Sequence, residues 1–249
     1  MPIAHPRRRC AEPEANRVAR CLIALLLFFV ASTVGWVVHS GSIPIPPHWN
    51  PWAPLNVAET PNWLTRYKLQ RTTADPALCS TALAASNLKH TSVDDNDPAD
   101  GCGWQSAVRV ADARFAPAFT LTCSAALPLI LWERHALQPA AQTHFGQAVA
   151  RVDHLGSYAC RNVRGAGGEG ERRSQHASAN AFDVAGFRLA NGRQISLVKH
   201  WTGDGAEAAF LREVRDGACR FFRSTLGPDY NAAHRDHFHL DQGPYRICR

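Results

Sequence analysis

Several patterns are missing from this 249-residue sequence, and each absence removes a class of protein. No His-Glu-x-x-His occurs, which excludes a zincin-type metalloprotease. No Cys-x-x-Cys occurs, which argues against zinc held by cysteine pairs. The glycine-rich stretch 165–170 lacks the Gly-Lys-Ser/Thr of a phosphate-binding loop and reads as a loop beside a site or on the surface. Residues 94–97 carry three aspartates and an asparagine but lack the Gly and Glu offsets of a calcium loop, so they read as a solvated loop. The 16 Pro and 17 Gly follow no triplet period, which excludes a collagen-like fibre. Charged residues make up only 19% of the chain, and no basic stripe marks a nucleic-acid surface despite a net charge of +6.

What is present begins with an export signature. Residues 1–20 hold Arg7, Arg8, Arg9, Arg17 and Arg20 against Glu12 and Glu14. Residues 21–38 follow as an uncharged apolar run, at about 1.5 Å per residue just long enough to cross a hydrocarbon core. The next Lys or Arg is Arg66. This asymmetry predicts a single-pass inner-membrane anchor with a cytoplasmic N-terminus and a periplasmic C-terminal part. A cleaved signal peptide is the rival reading, weakened by the long basic region and poor cleavage sites. The resulting division is a basic leader (1–20), a transmembrane anchor (21–38), an extended proline-rich linker (39–66) and one folded domain (67–249). Half of the net charge lies in the leader and reports topology.

The eight cysteines divide accordingly. Cys10 and Cys21 belong to the leader and the span. Cys79, Cys102, Cys123, Cys160, Cys219 and Cys248 fall in an oxidising compartment and are expected to form disulfides. Fifteen pairings are open, and the sequential set 79–102, 123–160 and 219–248 is the working expectation.

Local patterns predict an α+β fold, a small antiparallel sheet with flanking helices. Asp75-Pro76 should cap a helix running to Leu88. Helices are expected over 124–137, again after Pro139, and over 206–226. Strands are expected over 104–110, 118–123, 150–154, 157–162 and 237–241, with a hairpin of 182–189 and 194–198 about Asn191-Gly192.

Two segments carry the chemistry, Ser174-Gln-His176-Ala-Ser-Ala-Asn-Ala181-Phe-Asp183 and His234-Arg-Asp-His237-Phe-His239-Leu-Asp241. On a strand His237 and His239 share one face while Phe238 and Leu240 take the other. A catalytic zinc needs three protein ligands and an open position. His176 and Asp183 can supply two, and one histidine of the second segment the third. The remaining histidine is then free to move protons. A surface histidine pair is the bland alternative. His200-Trp201 reads as a cleft lining or as a half-buried aromatic.

These segments resemble zinc peptidases of the bacterial cell wall, the D-Ala-D-Ala carboxypeptidases and the penicillin-insensitive murein endopeptidases. More closely, residues 68–249 resemble the bacterial extensin-like C-terminal domain family through Gly156-Ser-Tyr158-Ala-Cys160-Arg161-Asn162, 174–187, Gly227-Pro-Asp-Tyr230-Asn231 and 234–241. The resemblance implies a hedgehog/D-Ala-D-Ala carboxypeptidase-like architecture and Zn2+ held by His176, Asp183 and His239. It implies His237 as the acid/base histidine with His234 assisting, Arg161 on a substrate carboxylate or oxyanion, Ser174 beside the metal, and peptidoglycan peptides as substrate. Two departures stand out. Ala179 replaces the motif glycine, and the glutamate expected as general base is absent, with Asp236 offset from the His237 face. They leave a second expectation open, a wall-binding or scaffolding domain that keeps the fold without catalysis.

Overall fold

The computed structural model describes residues 14–42, 45–98, 100–165 and 168–249. Arg7–Arg9, Cys10 and the centre of the glycine-rich stretch (166–167) lie outside the described residues. The chain forms two compact units, residues 1–52 and 53–249.

The first unit contains α1 (Glu14–His39). Its segment Asn16–His39 is long and apolar enough to cross a membrane, a property shared with signal sequences. Cys21 on this helix is an exposed free thiol. Residues 47–49 of the expected extended linker instead close a 3₁₀ turn, with Pro47 at its first position, where the missing N–H costs nothing.

The second unit begins before the expected Tyr67. Leu55 and Val57 join its core, and the Val57 carbonyl accepts a hydrogen bond from His135 Nε2 at 2.9 Å. Two helices open the unit, α2 (Thr65–Thr73) and α3 (Pro76–Ala84). Asp75 caps α3 by accepting from the Ala77 and Leu78 amides. A small antiparallel sheet follows, formed by β1 (His90–Ser92), β2 (Ala107–Val110) and β3 (Phe119–Thr122). Next, α4 (Cys123–Trp132) runs through a π-turn at Glu133–Leu137 into α5 (Gln138–Phe145). The expected break before Pro139 is therefore absent. Pro139 is the second residue of α5 and follows the π-turn directly.

The remaining strands are β4 (Val149–Gly156), β5 (Asn162–Gly165), β6 (Gly168–Arg173), β7 (Ala181–Leu189) and β8 (Gln194–Ser196). After α6 (Leu197–His200) and α7 (Ala206–Ala218) come β9 (Ser224–Leu226), β10 (Phe238–Asp241) and β11 (Ile247–Cys248). The main sheet has the order β11-β9-β10-β7-β4, with β8 also on β7. The β7–β8 hairpin turns at Gly192, whose φ of 86° suits glycine.

Several boundaries differ from expectation. Residues 157–161 form no strand, because β4 ends at Gly156 and the chain turns away toward β5. Helix α7 stops at Ala218 rather than at Leu226. Phe221 and Phe222 continue its apolar pattern, yet the fully buried Thr225 pairs with Leu240 of β10. Tertiary pairing overrides the helical period there.

A bulge in β7 organises the core. Gly186 pairs with Asp153 and Val184 with His154, so Ala185 is the extra residue. It lets Phe182 and Val184 before it, and Phe187 and Leu189 after it, all enter the core. Phe182 stacks on Phe119 at 4.7 Å, and Phe187 lies 6.2 Å from Trp132 of α4. Trp132 in turn donates to the Val214 carbonyl of α7.

The disulfides are Cys79–Cys123, Cys102–Cys160 and Cys219–Cys248. The third matches expectation and the first two do not. Helix α3 packs along α4, bringing Cys79 to Cys123. Cys102 is carried elsewhere because the Gly103 amide donates to Ala177 O at 2.8 Å, which sets this loop beside Cys160. Only glycine fits there, since a Cβ would lie 1.9 Å from Asn96 O at a φ of +111°. A non-reducing peptide map should return these three pairs. Replacing Cys102 and Cys160 together by alanine should lower unfolding free energy by about 3–4 kcal/mol in a denaturant titration. Recovery of the sequential pairs would refute the assignment.

Candidate metal and catalytic centre

The site is assembled by the register of two strands. His239 of β10 lies directly opposite Asp183 of β7. Phe238 and Leu240, on the other face, are fully buried. His176 arrives from the 3₁₀ turn Gln175–Ser178, which leads into β7. Ser174 caps that turn by accepting from the His176 amide, so its role is to hold the turn's backbone. The turn closes through Ala179, which adopts the left-handed conformation (φ 50°, ψ 31°) in place of the motif glycine. The strain, about 1–2 kcal/mol for a residue with a Cβ, is held by hydrogen bonds from Thr122 N to Ala179 O and from Ala179 N to His176 O.

His176, Asp183 and His239 are all buried and present ligand atoms within 4.8 Å of one another. His176 Nε2 lies 3.1 Å from His239 Nδ1 and 3.1 Å from Asp183 Oδ2. His239 Nδ1 lies 3.0 Å from Asp183 Oδ1. The outer nitrogens are committed elsewhere. His176 Nδ1 faces the Ser157 carbonyl at 2.9 Å, and a carbonyl only accepts, so Nδ1 carries the hydrogen. His239 Nε2 donates to Asp241 Oδ2 at 2.9 Å. Neutral imidazoles so arranged turn both inner nitrogens, as lone pairs, toward the Asp183 carboxylate. That arrangement requires a cation between them, either a proton or a metal ion.

Without a metal the proton resides on His239. Burial opposes its charge, but hydrogen bonds to Asp183 and Asp241 prevail and raise its pKa to about 9. Burial likewise works against the Asp183 carboxylate, yet His176 and His239 hold it well below the usual carboxylate range.

His237 precedes β10 and aims Nε2 at the cluster, 3.7 Å from Asp183 Oδ1. Its Nδ1 lies 2.7 Å from Asp236 Oδ1. His234 packs against both neighbours, its ring centroid 5.3 Å from that of His237 and 5.6 Å from that of His239. Its Nδ1 donates to Asn231 Oδ1, an atom that also accepts from the Ala233 amide. Burial, with the His239 and His237 charges, lowers the His234 pKa to about 4. Arg161 lines the same cleft of about 440 Å³, along with Arg164 and Arg172, the latter over the Tyr245 ring at 4.9 Å. Of the residues expected at the site, Arg161, Ser174, His234, His237 and His239 line this cleft, while His176 and Asp183 lie buried beside His239.

Three contributors were not anticipated. Asp241 shares the His239 face two residues on, a parity visible in the sequence. Asp236 supports His237 from the side as a hydrogen-bond partner. The Ser157 carbonyl, as backbone, leaves no sequence signal. His200-Trp201 does not line the cleft. Trp201 is buried against Phe238 and donates to Asp229. In the acidic loop, Asp95 accepts from the Ser106 amide and Asn96 bridges to Trp104.

Fold and site together define a disulfide-braced α+β domain with a buried His–Asp–His cluster at the floor of a cationic cleft. A family model described as the extensin-like protein C-terminus matches residues 77–249, and the chain belongs to that family. No curated protein and no solved structure matches the chain.

Two outcomes are expected. In chelator-treated protein, His239 contributes stability in full below pH ~6.5, lost as pH rises through about 9. His234, depressed to about 4, costs stability as pH falls from ~6.5 toward that value. Urea denaturation should therefore show a maximum near pH 6.5, and a profile flat from about pH 5 to 9 would contradict the assignment. Separately, Ala179→Val should destabilise by about 2 kcal/mol or more in the same assay, because a branched Cβ is disfavoured at positive φ.

Proposed function

We propose that this protein is a membrane-anchored, periplasmic zinc-dependent hydrolase of amide bonds in peptidoglycan peptides. The observation that carries the reading is the convergence of two imidazole lone pairs and one carboxylate, with each outer imidazole nitrogen already bonded. Two imidazoles and a carboxylate are a donor set of the kind catalytic zinc takes, with a position left open. Zinc there would supply Lewis acidity and a water acidified toward neutral pH. The motif resemblance to zinc peptidases of the bacterial wall supports the same class of reaction and substrate.

The chain's own groups take the remaining roles. Asp241 fixes the His239 tautomer, and the Ser157 carbonyl that of His176. His237, its Nδ1–H given to Asp236, keeps Nε2 free to accept the proton of the attacking water and return it to the leaving amine. This His–Asp pair fills the place of the missing glutamate. His234, neutral through most of the physiological range, adds a hydrogen-bonding imidazole without a competing charge. Arg161 holds a substrate carboxylate or the developing oxyanion. The arginine-lined cleft suits peptides with free carboxylates.

A non-catalytic wall-binding domain is the second reading, and the missing glutamate favours it. The Ala179 substitution no longer does, because the turn forms around it.

The full-length chain in detergent, assayed for bound zinc and muropeptide turnover, tests the proposal. His239→Ala should abolish zinc binding. His237→Ala should keep the metal and lose turnover by roughly 10²–10⁴-fold. Asp241→Asn should weaken zinc affinity by about 10–100-fold. Protein that takes up no zinc, or that binds zinc and muropeptides without turnover, refutes the hydrolase; the second result selects the binding domain.

A further inference from the structure

The C-terminal segment borders two cavities. Gly243, Tyr245 and Ile247 line the histidine cleft, whereas Gln242 and Arg246 line a second pocket, also of about 440 Å³. Four arginines surround this second pocket. Arg66 comes from α2, Arg220 and Arg223 from the turn between α7 and β9, and Arg246 from the C-terminal segment. None of its lining residues is acidic.

Among the described residues no carboxylate pairs with any of these guanidinium groups. Arg220 lies over the Phe221 ring at 5.2 Å, and Arg223 donates to the Pro244 carbonyl at 2.9 Å. Arg66 and Arg246 have no carboxylate partner among the described residues, and they repel each other. Arg66 also stands in the first turn of α2, the positive end of the helix dipole, where the helix has no acidic residue. All four arginines are solvent-exposed, so water and salt screen part of their mutual repulsion, and an anion in the hollow would relieve the rest.

We propose that this pocket is a binding site for a phosphate group. A carboxylate has two oxygens and is satisfied by one guanidinium fork. A phosphate offers three or four oxygens and up to two charges, which suits several guanidinium groups drawn from three segments of the chain. The group belongs either to a soluble phosphate compound or to an anionic lipid headgroup, which share this chemistry. The proposal does not depend on the hydrolase reading.

The test uses the full-length chain in non-ionic detergent, treated with chelator so that no metal in the histidine cluster takes up phosphate. Inorganic phosphate should bind saturably and raise the melting temperature, more weakly at higher salt. R66Q/R246Q should weaken binding by about tenfold or more, and R220Q, on a different segment, should weaken it too. His239→Ala should leave it unchanged. In parallel, hydrogen exchange is compared in phosphatidylglycerol and phosphatidylcholine nanodiscs. Protection around Arg66 and Arg246 in phosphatidylglycerol alone, lost in the arginine variants, assigns the site to a lipid headgroup. Saturable phosphate binding with no difference between the discs assigns it to a soluble phosphate compound. Phosphate affinity unchanged in both arginine variants, or no phosphate binding and no lipid-dependent protection, overturns the proposal.

Discussion

The pairing of Asp183 with His239 across β7 and β10 is the contact on which the site depends. Side chains on a strand alternate with period two, so a one-residue slip of β10 would turn His239 and Asp241 into the core and push Phe238 and Leu240 out. Burying each of those two apolar side chains is worth about 1.5–3 kcal/mol. The slip would forfeit both terms and bury charged groups without partners. The register of the functional residues is thus enforced by residues that never touch the cleft. Phe238 against Trp201 and Phe182 against Phe119 are in this sense part of the site.

The same arrangement explains why the cluster is tolerable in a buried position. Carboxylates and imidazoles withdrawn from water lose hydration that must be replaced. Here every outer polar atom has a fixed partner, the Ser157 carbonyl for His176 and Asp241 for His239. Asp241 is itself held by the Gly243 amide at 2.7 Å. The absence of a side chain at Gly243 matters, because a Cβ would stand 2.9 Å from Asp241 Oδ1 and 3.1 Å from Gln175. What remains open is the inner space between the two nitrogens and Asp183. The cost of burial is concentrated at one point, and a cation there relieves it.

How much of this was legible in the sequence follows from the range of the interactions involved. Asp75-Pro76 and Asn191-Gly192 act within four residues, and the cap and the hairpin turn appear where they predict. The shared face of His237 and His239 follows from strand parity, and Asp241 extends the same rule by one step. Two of the contacts between distant segments were not legible. Cys79 meets Cys123 because α3 packs on α4, and Cys102 meets Cys160 because a loop docks on the turn bearing His176. Neither fact has a local signature. The end of α7 was hidden for a related reason, as Phe221 and Phe222 fit a helical stripe while their neighbours obey the sheet. Ala179 shows the opposite error. A local rule reserves its conformation for glycine, and the surrounding hydrogen bonds impose it on alanine.

The C-terminal segment joins these threads. Between Asp241 and Cys248 the chain leaves β10, passes between the two cavities and returns to pair with β9 as β11. One end carries the carboxylate that orients His239, and the other is tied by Cys248 to Cys219 at the end of α7. Arg223 and Arg246 sit on the stretch this disulfide closes, as does Asp241. A segment clamped at both ends and shared by two polar cavities cannot move toward one without moving relative to the other. Asp241, the last residue of β10, is fixed by pairing with Ala181 and Ser224, so the carboxylate that orients His239 is held by the sheet while the bridge holds the far end of the segment.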